Sequence, residues 1–588
     1  MHSGTEREAR RTTHAQPDSS SDNRCSLAKS SRLALLVPAL LVMCALSVLA
    51  GAYEPVAARH GMVVSSEARA SEAGVDILRQ GGNAVDAAVA VGFALAVTYP
   101  FAGNLGGGGF MLIRMADGAS VMIDYREEAP GAASRNMYLD AQGRLIPNAS
   151  IVGARASGVP GTVAGLALAE QKYGKLGLAR VMAPAIRLAD AGFPVSYWLS
   201  KSLRSHQSLL TQFSNSRRIY LRDGNEYQPG EIFRQPELAR TLREIARRGA
   251  AGFYQGEIAR DISATERRLD GAITLADLAQ YRAITRQPLE GHFRGYTILS
   301  DPPPSSGGTA LIEMLNILEP LDLGQPDSYA SMHLIIEAQR RAYADRARYM
   351  GDADFVSVPV KRLVSTPYAA TLRQQILSSR PDAPLPPAEQ ASAESSNTTH
   401  FSVIDADGDA VANTYTLNNG YGSGVTVDHA GFLMNDEMDD FTSRPGTPNM
   451  FGLIQSEANA VAPRKRPLSS MTPTIVLENG KPRLILGSPG GGTIINTVLE
   501  VALDSLVYHM DILRAVMEPR FHDQWTPDRV VLERGGFSAD TIEKLRYSGY
   551  HIVERGAIGE CEAIEVDPKT GWRFGAADPR GQGQAVGY

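Results

Sequence analysis

Cysteine is nearly missing from this sequence: three in 588 residues, with Cys25 and Cys44 both inside the first 52. Beyond that stretch Cys561 stands alone, so no internal disulfide can brace the fold and packing must hold it together. Metal-binding spacing is missing too. None of the eleven histidines forms a His-x3-His pair around a glutamate, and cysteine pairs are absent. No metal is expected, and His400 and His522 are read as structural. Nor is charge of one sign concentrated. Lys and Arg number 58 against 64 Asp and Glu, a net of −6 with no long basic block, so nucleic acid is not an expected partner. No internal repeat is visible. Long apolar runs are absent but for one, Leu33–Ala52, which follows a positive flank of Arg10, Arg11, Arg24, Lys29 and Arg32 and ends in Ala50-Gly51-Ala52. That order reads as a secretory signal cut before Tyr53, with an uncleaved inner-membrane anchor as the alternative. A periplasmic or secreted location is therefore expected.

What is present is ordinary for a folded protein, 43% hydrophobic and 21% charged. The length exceeds what one small core supports and implies several domains or one large layered unit. Strands and helices alternate in pattern, giving an α/β (α+β) class. A helix is expected from Ser65 or Ser66 to Gln80. A second, Ala84–Val97, is apolar on nearly every face and should lie between layers. From Arg380 to Asn397 proline, alanine and serine dominate, the composition of an exposed loop. Strand character then starts abruptly. Phe401–Ile404 and Ala410–Leu417 flank Ala406-Asp407-Gly408-Asp409, a hairpin signal.

Thr398 sits where the linker meets this strand. A threonine hydroxyl is a weak nucleophile without a base. Its own α-amine, with a pKa of about 7.7–8, suits the task, but only if Thr398 is a chain terminus. An internal threonine reaches that state by attacking the preceding carbonyl, after which the ester hydrolyses. Taken alone, a threonine opening a strand is ordinary β-branched sheet filling. The glycine-rich stretches Asn104–Phe110 and Gly487–Gly492 lack phosphate-loop and dinucleotide signatures. Both look like places of close backbone approach; a tight turn between buried elements is one reading, and the adjacent amides of Gly490 and Gly491 could instead form an oxyanion hole.

Many uncommon motifs fall in one order. Thr398-Thr399-His400-Phe401-Ser402-Val403, Thr414–Asn418, Asn435–Phe441, Lys465–Met471 and Gly487–Gly491 resemble the small subunit of γ-glutamyltransferases. Upstream, Asn104–Phe110, Asp124–Glu127, Pro302–Gly308 and Ala344-Asp345-Arg346 resemble the large subunit. The resemblance runs from about His60 to the C-terminus. It implies an N-terminal-nucleophile hydrolase with a four-layer αββα sandwich, cleaved between Asn397 and Thr398. The implied parts are a leader at 1–52, a large subunit at 53–397 and a small catalytic subunit at 398–588, the latter two forming one shared fold and a heterodimer. Thr398 would be the nucleophile, Thr416 its hydrogen-bond partner, and Gly490 and Gly491 the oxyanion hole. Arg126, Ser469 and Ser470 would hold the substrate α-carboxylate, and Asn418, Glu437 and Asp440 its α-ammonium.

Two positions depart from the common pattern: Glu437 where many bacterial relatives carry glutamine, and Phe451, rather than tyrosine, in a lid-like loop from Pro445 to Ser456. The phenyl ring removes one hydrogen bond that would hold the lid shut. The implied reaction is transfer of a γ-glutamyl group, from glutathione or a similar compound, to water or to an amino acid or peptide. A glutaryl-cephalosporin acylase or a poly-γ-glutamate depolymerase shares the nucleophile and is the enzymatic alternative. An unprocessed, membrane-anchored binding protein is the alternative outside catalysis.

Overall fold

The computed structural model describes residues 54–378 and 397–588. The expected leader at 1–52 and the Pro/Ala/Ser-rich stretch from Arg380 to Ser396 lie outside them. The chain enters through β1 (Val56–Ala58), β2 (Met62–Ser65), β3 (Gly108–Arg114) and β4 (Ser120–Asp124). After a long helical excursion come β5 (Ile284–Arg286), β6 (Leu289–Phe293) and β7 (Tyr296–Ser300). The hairpin β8 (Thr398–Ile404) and β9 (Ala410–Thr416) follows, then β10 (Thr474–Glu478) and β11 (Lys481–Leu486). Last are β12 (Glu562–Val566), β13 (Arg573–Ala577) and β14 (Gln584–Gly587).

These strands make two seven-stranded antiparallel sheets, in the orders β14-β2-β8-β9-β3-β4-β5 and β1-β13-β12-β11-β10-β7-β6. Side-chain alternation dictates how they stack. Phe110 and Leu112 of β3, Met62 and Val64 of β2, and Ala410 and Ala412 of β9 join Ile475, Leu477 and Ile485 in a core between the sheets. Their neighbours Met111, Ile113, Val63 and Val411 face the other way, onto α1 (Ala68–Arg79) and α2 (Ala84–Thr98). On the opposite sheet Val476, Leu484 and Leu486 pack against α3 (Gly307–Leu318), α4 (Tyr329–Tyr349) and α5 (Ile494–Leu506). The result is the αββα sandwich that the resemblance implied.

Local chemistry sets the boundaries. α1 starts where the Glu67 carboxylate accepts from the amides of Arg69 and Ala70. α2 opens with a reciprocal box between Asn83 and Asp86, and every residue along it is buried. The β8–β9 turn is tied by Asp405, whose Oδ1 accepts from the amides of Asp407, Gly408 and Asp409 at 3.0 Å each. Gly408 takes φ +95° there, the left-handed region that glycine enters without strain. The hairpin therefore forms where its Asp-Gly signal placed it, and it lies inside the first sheet, between β2 and β3.

Candidate active site

Register brings the two threonines together. In the β8–β9 ladder Thr398 pairs with Thr416, and the Thr398 hydroxyl donates to Thr416 Oγ1 at 3.2 Å. Thr416 Oγ1 also accepts from the Asn418 amide at 2.8 Å and donates to the Asn397 carbonyl at 3.1 Å. A hydroxyl has one proton and two lone pairs, so all three are committed and the rotor is fixed. Its proton points at the carbonyl that Thr398 would attack. Asn397 is fully buried and Thr398 is 5% exposed.

The first glycine-rich loop shapes the floor beneath this pair. An added Cβ at Gly106 would meet the Leu433 carbonyl at 2.1 Å, and one at Gly107 the Thr416 carbonyl at 2.0 Å. Only glycine permits so close an approach. Asn104 bridges the gap, donating through Nδ2 to the Thr416 carbonyl and accepting at Oδ1 from Gly107 N and Thr162 Oγ1.

Beside the threonines lies a narrow cavity. Arg126, Thr398, Thr416, Asn418, Glu437 and Asp440 line it, as do Ser469, Ser470 and Gly491. Arg126 follows the end of β4 and is fully buried. Its guanidinium pairs with Glu437, with Asp440 at 2.5 Å, and through Nε with the Pro467 carbonyl at 3.2 Å. The carboxylates expected to receive an ammonium thus also hold the guanidinium. Glu127 stands 3.7 Å from Arg126 with no hydrogen bond to either of its oxygens, and burial pushes its carboxyl up to about 8. Burial drives Glu437 upward as well, with Arg126 opposing, while the surrounding carboxylates help keep Arg126 charged. Three acids around one guanidinium favour retention of a proton near neutral pH. One Glu437 oxygen, Oε2, has no hydrogen-bond partner. Asn418 takes φ +76° and donates through Nδ2 to the Asp436 carbonyl at 3.1 Å.

Gly490 and Gly491 turn the chain between β11 and α5 at φ +138° and +55°, conformations that favour glycine. Neither amide donates to a protein group among the described residues. The Pro445–Ser456 loop covers them. The Phe451 ring, 3% exposed, fills the space a Cβ on Gly491 would need, with contacts down to 2.5 Å. Three sets of hydrogen bonds hold this loop in place. Asn449 Oδ1 accepts from the amides of Phe451 and Leu453, the Met450 amide donates to Asp439 Oδ2 at 2.9 Å, and Gln524 donates to the Phe451 carbonyl. The lid is shut by burial and backbone bonds.

His400 and His522 each have both ring nitrogens hydrogen-bonded within the protein. His400 bonds Thr414 and Ser402 and is pushed by burial down to about 3. His522 bonds Asn496 and Gln524 and falls to about 4. Cys561 is buried, which pushes its thiol up to about 12.

Sequence reading gave no role to Arg466 or Arg346. Arg466 is 2% exposed and reaches Asp124 at 2.6 Å and Glu128 at 3.0 Å. It thereby delivers the Pro467 and Leu468 carbonyls to Arg126. Arg346 lies on the buried stripe Met332, Ile335, Ile336, Gln339, Ala342, Tyr343 of α4. A cation on an otherwise core-facing stripe is a signal readable from helical spacing.

Known proteins resemble this chain over most of its length. Residues 70–588 match the family model of γ-glutamyltranspeptidase. A glutathione hydrolase proenzyme of Escherichia coli (strain K12) is 47% identical over 533 residues, 90% of this chain and 92% of that one. A crystal structure of a Helicobacter pylori γ-glutamyltranspeptidase is 47% identical, with TM-score 0.52 over 53% of this chain and 90% of its own. A cephalosporin acylase from Bacillus halodurans superposes with TM-score 0.80 at 29% identity, over 91% of this chain and 97% of that one. The matched segment includes both threonines, Arg126 and both glycine turns, and the chain belongs to the γ-glutamyltranspeptidase family.

Proposed function

We propose that the protein is an autoprocessed γ-glutamyltransferase, which takes the γ-glutamyl group of glutathione and related amides and passes it to water or to an amino acid or peptide. The observation that carries this reading is the committed Thr416 hydroxyl, which accepts from Thr398 and donates to the Asn397 carbonyl. In the precursor, Thr398 Oγ1 bonds to the Asn397 carbonyl carbon while the Thr416 proton steadies the oxyanion. The carbon–nitrogen bond breaks, and the amine leaves with the hydroxyl's proton. Water then hydrolyses the ester, freeing Thr398 as the first residue of a small subunit, 398–588, beside a large subunit that ends at Asn397.

The freed α-amine takes the hydroxyl proton during attack on a γ-glutamyl amide. The Gly490 and Gly491 amides receive the oxyanion, and the departing amine takes the proton. Water or an acceptor amine resolves the acyl-enzyme. Arg126, Ser469 and Ser470 take the α-carboxylate, and Asn418, Glu437 and Asp440 the α-ammonium. The unpartnered Glu437 Oε2 favours this substrate over a glutaryl amide, which has no ammonium to offer. Export to the periplasm or beyond accords with the expected leader. Among the described residues no helix is long and apolar enough to cross a membrane.

A denaturing gel with N-terminal sequencing tests the reading. The native chain should give two bands, the smaller beginning at Thr398, and release glutamate from glutathione. Thr398→Ala should give one band and no turnover. Cleavage at Asn397 in that variant would sink the self-processing mechanism, and faster turnover of a glutaryl amide than of glutathione would sink the substrate assignment.

A further inference from the structure

The serine pair is held from behind by a cradle. The Ser306 amide and hydroxyl both donate to the Ser469 carbonyl, at 2.9 and 2.7 Å, and the Ser469 amide donates to the Pro304 carbonyl at 3.0 Å. Ser305 Oγ reaches the Met471 carbonyl at 2.7 Å. Into this cradle α4 inserts Arg346, which is 3% exposed. Its Nε donates to Ser306 Oγ and its Nη2 to Ser470 Oγ, each at 2.9 Å. Among the described residues its Nη1 has no hydrogen-bond partner, and no carboxylate forms an ion pair with it. The other deeply buried guanidinia, Arg126, Arg466 and Arg520, each have one. Burial pushes Arg346 down to about 10, with Tyr343 and Asp440 opposing and Arg126 reinforcing, so it is still a cation at neutral pH.

An unpaired buried cation is costly and persists where something offsets it. Arg346 occupies a lone pair of Ser470 Oγ, so the Ser470 proton must point elsewhere, and Ser470 lines the cavity. Charge leads to the same place. Arg126 with Glu127, Glu437 and Asp440 sums to −1 when one of the three acids keeps its proton, a poor setting for a substrate carboxylate. Arg346 brings that total to zero.

We propose that Arg346 is a positioning residue for the γ-glutamyl α-carboxylate: it turns the Ser470 hydroxyl toward the cavity as a donor and supplies the positive charge that lets an anion settle beside Asp440. The proposal rests on the γ-glutamyltransferase reading. It acts on substrate binding and leaves the Thr398–Thr416 pair untouched.

Steady-state kinetics with a chromogenic γ-glutamyl anilide test it, on protein shown by gel to be in two chains. Loss of a charge-assisted hydrogen bond in Arg346→Gln should raise KM about 10- to 100-fold, with kcat changed by less than about threefold. Arg346→Lys, which keeps the charge but cannot span Ser306 and Ser470, should fall between Gln and the native enzyme. An unchanged KM, or a loss confined to kcat, overturns the proposal. If Arg346→Gln does not mature, Arg346→Lys decides alone: raised KM at near-native kcat supports it, and native KM refutes it. A native enzyme that releases no aniline refutes the functional reading instead.

Discussion

At the scale of single residues the site turns on one hydroxyl proton. Thr416 has no spare hydrogen-bonding capacity, so replacing it by valine, its near-isostere, removes the carbonyl's donor and the nucleophile's acceptor together. Self-cleavage should slow by about 100- to 1,000-fold, the usual loss for one oxyanion donor, and Thr416→Ser should restore most of it. The rate at which the single band disappears from a time-resolved gel measures this directly. Thr398 was legible in the sequence because its chemistry and the ordered motifs coincide at one position. The proton path was not, since it depends on the register that sets Thr398 opposite Thr416. The ion pairs of Arg126 were equally hidden. Glu437 and Asp440 lie 311 and 314 residues away, and no local pattern encodes a partner at that distance.

At the scale of elements, the glycine turn and the lid are one mechanical unit. Gly491 combines φ +55° with a phenyl ring where a Cβ would go. Gly491→Ala therefore carries two separate costs, backbone strain of about 1–2 kcal/mol and displacement of Phe451. Adding Phe451→Ala should remove the second cost and leave the first. The double variant should then melt higher than the sum of the two single losses predicts, a coupling that thermal unfolding of all four proteins would reveal. Strict additivity would show that ring and turn are independent. The hairpin and α2 could be read from the sequence because their signals are local: an Asp-Gly turn, and a run apolar on nearly every face. Sheet order could not. β2 pairs with β8 from more than 330 positions away, Ser65 opposite Phe401, and the bare sequence offers several strands of the same alternating type.

At the scale of the molecule, buried acids set the response to pH. Burial raises Glu266 and Asp301 to about 8, from 4.5 and 3.8. The folded state thus binds these protons more tightly than the unfolded chain, and their contribution erodes as pH rises from those ordinary values to about 8. His400 and His522 act oppositely, at about 3 and 4 against 6.5, and cost stability only as pH falls below 6.5. From pH 6.5 to 8 these histidines no longer oppose the acids. The thermal midpoint should therefore drop across that window at a fixed scan rate, and Asp301→Asn should flatten the drop. A midpoint that rises would contradict the assignment of these acids as protonated in the fold. The strand order has a further consequence. Five seams join strands from opposite sides of the Asn397–Thr398 bond: β14 with β2, β2 with β8, β9 with β3, β1 with β13 and β7 with β10. Once that bond is cut, neither piece can leave without unzipping seams in both sheets, three of them in the first and two in the second. Matured molecules carrying different tags should stay unmixed after long co-incubation, each keeping for life the half it was made with.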